Sequence, residues 1–178
     1  MVKQIRHTET KSNIKKALTE LLSQKSFEKI SVTTICRTAG INRGTFYLHY
    51  KDKYDMMEKI KEETLTNLYA IITQENKTFS KKVVCETIDY LHQNIDFFEV
   101  MAKTSYAKLP QITRNFVSYI LDNIPNSSDH ITKKMGIPVN YARIAYVASI
   151  EAVMTEWILS GGKESPEEMT EIILQIGS

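Results

Sequence analysis

Apolar residues recur along this chain with the period of a helix almost from end to end. Ile14, Ala17, Leu18, Leu21 and Leu22 share one face of a segment predicted to be helical over 10–23. Phe27 and Ile30 lie in a short connection. Ser31 is a good N-cap for a helix over 32–39, in which Val32, Ile35, Cys36 and Ala39 are spaced i, i+3, i+4, i+7. Gly40 stops that helix where a left-handed residue is wanted. Asn42 then caps a third helix over about 43–50, and Asp52 caps a fourth over about 53–73.

Beyond Gln74 the pattern restarts. Val84, Ile88, Leu91 and Ile95 keep register through a helix predicted over 80–94, and a short aromatic helix follows over 96–105. Pro110 opens a helix to 124, residues 125–128 read as a loop, and the irregular stretch extends to Gly136. Pro138 opens the longest helix, to about 160, where Gly161 and Gly162 end it. Ser165-Pro166-Glu167-Glu168 then supplies a cap, a proline and two acids at the positive end of a last helix to about 176. Strand alternation and hairpin dipeptides do not recur, and there is no internal repeat. The expectation is an all-α chain of about nine helices. A three-helix helix-turn-helix domain is expected over 1–53, with the 53–73 helix as connector. A helical bundle domain is expected over 54–178.

The long helix is apolar on more than one side. Ala145, Ala148 and Ala152 make a small-residue stripe, and Ile144, Val147, Met154 and Ile158 make another. The last helix adds Met169, Ile172, Ile173 and Ile176. A helix apolar on two sides needs two partners. A four-helix bundle between two copies would supply them, and so would packing within a single copy.

Composition narrows the class. Hydrophobic residues are 42% and charged residues 25% of 178, enough for a packed core. No stretch approaches the roughly 18–20 apolar residues of a membrane span. Residues 1–16 carry no apolar signal core, so a cytoplasmic location is expected. Cys36 and Cys85 are far apart with no Cys/His spacing around them, which argues against a disulfide framework and a zinc site. Charge is uneven beneath a net +2. Residues 1–60 hold 12 Lys/Arg against 6 Asp/Glu, whereas 61–178 hold 11 against 15. A basic first third hints at a polyanionic partner.

The segment from Val32 to Lys53 reads VTTICRTAGINRGTFYLHYKDK. It is two short helices joined by a tight turn at Gly40, with Ile41 filling the apolar position of the turn. Phe46 and Tyr50, four apart, point back to the core. That leaves Arg43, Gly44, Thr45, Tyr47 and His49 facing outward or toward the edges. A major groove admits such a helix, and an Arg there can make a paired contact to guanine. Thr45 suits a thymine methyl or a phosphate, and Tyr47 and His49 suit phosphate oxygens. Thr33 and Thr34 place hydroxyls beside the free N–H groups of the first helix, and Lys53 is positioned to clamp the backbone.

This stretch resembles the DNA-binding signature of the TetR-like (tetracycline repressor) family of bacterial transcription regulators. The matching residues are Ala39-Gly40-Ile41, Gly44-Thr45-Phe46-Tyr47, His49-Tyr50 and Lys53, within a similarity covering about 8–60. Asn42 stands where the family usually has Ser, and Cys36 where it usually has Ala. The resemblance implies that Arg43, Gly44 and Tyr47 lie nearest the bases, and that Thr34, Tyr47, His49 and Lys53 meet phosphates. It further implies a variable C-terminal domain that dimerises through its last two helices and binds an inducer, with repression as the default.

Candidate pocket-lining residues are Phe97, Phe98, Met101 and Tyr106 from one part of the chain and Phe116, Tyr119 and Trp157 from another, although each also suits plain core. Glu151, inside the apolar long helix, can answer a cation, face solvent or pair across a dimer. His92 with Asp89 and Asp96 does not justify a metal, and no cofactor is expected. The expected partners are duplex DNA, a second copy, and a small-molecule effector or a protein. For a protein partner, the polar segment 126–134 and the short aromatic helix are the candidate surfaces. No Ser-His-Asp, Cys-His or Gly-rich phosphate-loop arrangement supports an enzyme.

Overall fold

A computed structural model describes residues 2–74, 80–104, 108–123, 131–133 and 135–177. Among these residues the chain is all-helical, as expected, and divides into two compact units, one ending at Thr66 and the other starting at Asn67. The first unit therefore reaches past residue 53, because Met56, Met57 and Ile60 of the fourth helix are buried in its core.

The first unit contains α1 (Val2–Gln24), a 3₁₀ turn (Phe27–Lys29), α2 (Val32–Thr38), α3 (Arg43–Tyr47) and the first part of α4 (Lys53–Gln74). Ile14, Leu18, Phe27, Ile30, Ile35 and Phe46 are buried together with the α4 methionines, which realises the apolar faces read from the sequence. α1 starts eight residues before its expected first residue. Lys3, Gln4, Arg6 and Glu9 are adequate helix formers, so the helix propagates outward from its core-anchored turns without needing an apolar stripe. α3 stops at Tyr47, three residues short of expectation. The N–H groups of His49 and Tyr50 both donate to the Phe46 carbonyl (3.0 Å each), closing the last turn as the chain reverses toward Asp52.

The second unit contains the end of α4 and then α5 (Lys81–Gln93), α6 (Ile95–Ala102), α7 (Leu109–Asn123), α8 (Val139–Leu159) and α9 (Pro166–Gly177). Residues 131–133 are also helical. α8 packs on α6, α7 and α9, and α9 packs on α5. Two local devices hold the ends of the last two helices. At the end of α8 the Gly162 N–H reaches the Trp157 carbonyl (2.9 Å) and the Gly161 N–H reaches that of Ile158 (3.1 Å), a Schellman closure. Gly162 has φ +67°, and a Cβ there would stand 3.0 Å from Ile95 and 3.2 Å from His92, so the position requires glycine. At α9, Ser165 and Glu168 bond reciprocally, N–H to Oε2 at 2.9 Å and N–H to Oγ at 3.3 Å, as a capping box.

Burial sorts the apolar residues of the last two helices. Met169 and Ile173 are 2% and 6% exposed, taken up by the core of their own unit where α9 meets α5 and α8. Their expected place at an interface between copies is therefore corrected, whereas Ile172 and Ile176 are half-buried. On α8, Val147, Met154 and Ile158 are buried, whereas Ala145, Ala148 and Ala152 are exposed. Ile144 departs from its expected stripe and joins the exposed side at 66%, next to Tyr141 at 67%. No helix among the described residues is long and apolar enough to cross a membrane.

Candidate nucleic-acid interface

The turn between α2 and α3 is built by backbone chemistry. Ser31 caps α2 by accepting from the Thr34 N–H at 3.1 Å. The far end closes with the Ile41 N–H on the Cys36 carbonyl (2.9 Å) and the Gly40 N–H on that of Arg37 (3.3 Å), while Gly40 takes φ +67°. This is a Schellman motif, and it sets the angle at which α3 leaves α2. Asn42 then caps α3: its Oδ1 accepts the Thr45 N–H at 2.7 Å and the Thr45 hydroxyl at 3.1 Å. Ile35, Cys36, Phe46 and Tyr50 are buried beneath this frame.

The outer face of α3 carries Arg43, Gly44 and Tyr47, all exposed. Arg43 donates from Nη2 to the Tyr47 hydroxyl at 3.3 Å, and its guanidinium lies 5.8 Å from the centre of that ring. The contact raises the guanidinium further above its ordinary range. One helical turn thus presents a permanent cation, a phenol and a gap without a side chain, which together suit close approach to base edges and phosphates. Thr45 is half-buried, with its hydroxyl tied into the Asn42 cap. Thr33 is exposed, and the Thr34 hydroxyl lies 2.9 Å from that of Ser31. His49 is half-buried, with its ring beside Tyr50. The Lys53 ammonium does not point into solvent: it donates to the carbonyls of Phe27, Glu28 and Ile30.

Sequence reasoning passed over Leu48, which is 77% exposed directly after α3. The available signal was its place midway between the inward Phe46 and Tyr50. A search for hydrogen-bonding side chains ignores such a residue, although apolar contact is how a protein meets a thymine methyl. Behind the recognition helix, Asp52 caps α4 by accepting from the N–H groups of Tyr54 (2.8 Å) and Asp55 (2.9 Å). Asp55 is held below the usual carboxylate range, first by the Lys51 N–H (2.8 Å) and then by the Lys59 ammonium (3.0 Å). Burial, with Glu63 and Asp55 nearby, pushes the Tyr50 phenol up to about 12.

The candidate pocket residues mostly form core. Phe97 and Phe98 are buried edge to face, and Met101 and Phe116 are buried. The Trp157 indole donates to the Glu164 carbonyl at 3.1 Å and stacks with His92. Tyr119 is half-buried against Tyr69, their ring centres 4.5 Å apart. Glu151 pairs within its own chain with Arg114, at 2.9 Å. Tyr106 and residues 126–130 and 134 lie outside the described residues. Among the described residues no group of three His, Cys, Asp or Glu could hold a metal.

Comparison with known proteins places these features in a family. Residues 14–60 match the profile of bacterial regulatory proteins of the tetR family, and residues 78–177 match that of a transcriptional regulator C-terminal region. The chain is 26% identical over 97 residues to the uncharacterized HTH-type regulator YxbF of Bacillus subtilis, covering 51% of this chain but only 26% of that protein's length. It is 23% identical over 171 residues to the HTH-type regulator AcrR of Shigella flexneri, covering 85% of this chain and 80% of that one. Among solved structures, the dihydroxyacetone kinase operon activator DhaS superposes with a TM-score of 0.66 at 19% identity, over 94% of this chain and 93% of DhaS. The turn at Gly40, the exposed α3 and profiles that together span most of the sequence lead to one assignment: the chain belongs to the TetR family of bacterial regulatory proteins and is a DNA-binding transcription regulator.

Proposed function

We propose that the chain acts as a homodimer on an inverted-repeat operator, as a repressor released by a small molecule. One observation carries this reading: α8 exposes a continuous apolar face of Tyr141, Ile144, Ala145, Ala148 and Ala152 in the single chain. Alanines let two helices approach closely, and large apolar side chains left in water favour a partner of matching shape. A second copy supplies that match by twofold symmetry. Two α3 helices then enter successive major grooves, about 34–36 Å apart. The Arg43–Tyr47 pair of each copy lies nearest the bases, and Thr33, Thr34 and His49 face the backbone. An effector acts by favouring a conformer with the wrong separation.

The likeness to DhaS, whose name is that of an activator, favours a second reading, in which the chain activates transcription. Deleting the gene in its host and combining transcript profiles with a genome-wide footprint of the full chain separates the two. Transcripts beside occupied sites rise under the repressor reading and fall under the activator reading. A footprint unchanged by exchanging Arg43 and Tyr47 for alanine would overturn the assignment of the contact face.

A further inference from the structure

We infer that Lys53 is a positioning residue that pins the frame of the recognition helix, and not a contact to the DNA backbone. Its ammonium donates to three backbone carbonyls, those of Phe27, Glu28 and Ile30, each at 2.9 Å. The same nitrogen lies 4.9 Å from the centre of the Phe27 ring and 5.2 Å from that of Tyr54, and the two rings meet edge to face. An ammonium has three N–H donors and no acceptor. All three are used here, and aromatic faces flank the charge. A phosphate oxygen can reach this nitrogen only by displacing a carbonyl already in place.

The carbonyls explain why a cation belongs there. The 3₁₀ turn ends at Lys29, and Ile30 leaves it with an extended backbone. The carbonyls of Glu28 and Ile30 therefore have no following helical turn to bond them. Three converging carbonyls are a concentration of negative dipole, and a lysine ammonium satisfies them with charge-assisted bonds. The bonds span 23 to 26 residues, and the enclosed chain holds α2, the Gly40 turn and α3. Lys53 thus ties the start of α4 to the end of the α1–α2 connection and closes the helix-turn-helix segment into a loop. The orientation of α3 on that frame depends on this tie.

This inference rests on α3 being the DNA-reading helix, and its test has one arm free of that premise. In the free full-length chain, acetylation by a small activated ester, read by mass spectrometry, should modify Lys53 more slowly than the exposed Lys29 and Lys51. Lys53 acetylated as fast as Lys51 would overturn the proposal. The second arm uses the duplex that the full chain selects from a randomised library. Lys53→Met and Lys53→Arg should each bind it roughly tenfold or more weakly, with the salt dependence of binding unchanged. Arginine keeps the charge and is the better phosphate ligand, but its planar fork does not fit three converging carbonyls. Wild-type affinity in Lys53→Arg, or a salt slope lowered by about 0.9 in Lys53→Met, identifies a phosphate contact and overturns the proposal. A full chain that selects no duplex contradicts the DNA reading of α3, while the acetylation rates still decide the position of Lys53.

Discussion

Helices α3 and α8 both leave one side uncovered, but they expose opposite kinds of surface. α3 shows solvent a guanidinium, a phenol and a glycine gap, held on a frame of caps and turn bonds. α8 shows an alanine stripe flanked by Tyr141 and Ile144. The first surface suits a wet, highly charged partner whose attraction is screened by salt. The second suits a dry partner whose shape repeats its own. Under the proposed dimer the labour divides: the N-terminal unit reads DNA, and the exposed face of α8 brings a second copy to it. Substitutions on the two helices should therefore fail in different ways.

The largest effect belongs to α8. Ala148→Glu places a charge in the stripe and should leave a folded monomer by sedimentation. Losing the second half-site should weaken operator binding by about 10²-fold or more. A dimer that persists would contradict the pairing role proposed for α8. Next is Arg43→Ala, expected to weaken operator binding by about 1–3 kcal/mol in a mobility-shift titration while leaving the dimer intact. Smaller still is Asn42→Ala, which removes the α3 cap and releases the Thr45 hydroxyl. It should cost about 1 kcal/mol of stability in denaturant unfolding.

The smallest effect is confined to alkaline pH. The fold holds the Tyr50 phenol neutral up to about 12, whereas the unfolded chain releases that proton near its ordinary value of about 10. Between these values the folded state binds the extra proton, so stability falls as pH rises through the window. Tyr50→Phe should lessen that fall, leaving the share of Tyr69 and Tyr146, whose phenols burial also raises, and leave neutral-pH melting nearly unchanged. An alkaline loss as steep in the variant as in the unaltered chain would contradict the role of Tyr50.

Legibility differed between the units for a physical reason. The α2–Gly40–α3 frame is written in contacts three to five residues apart, so Ser31, Gly40, Ile41 and Asn42 were readable as caps and turn from sequence. The capping box at Ser165 and the glycine stop of α8 were readable on the same grounds. Lys53 was not, because the carbonyls it satisfies lie 23 to 26 residues away and come together only when α4 docks. Met169 and Ile173 share one apolar run with Ile172 and Ile176, and only the packing of α9 on α5 and α8 decides which of them turn inward. Leu48 was missed because exposure of an apolar residue depends on where α3 ends. The all-helical class and the family, by contrast, followed from periodicity and from a local motif.

The most direct test of the account is the symmetry of what the protein selects. Duplexes recovered from a randomised library by the full-length chain, followed by mass determination of the complex, should yield an inverted repeat bound by two copies. Its half-site centres should lie about one helical turn, or a multiple of it, apart. Recovery of unrelated sequences, or of a complex holding a single copy, would contradict the claim that α8 pairs two chains so that two α3 helices read one operator.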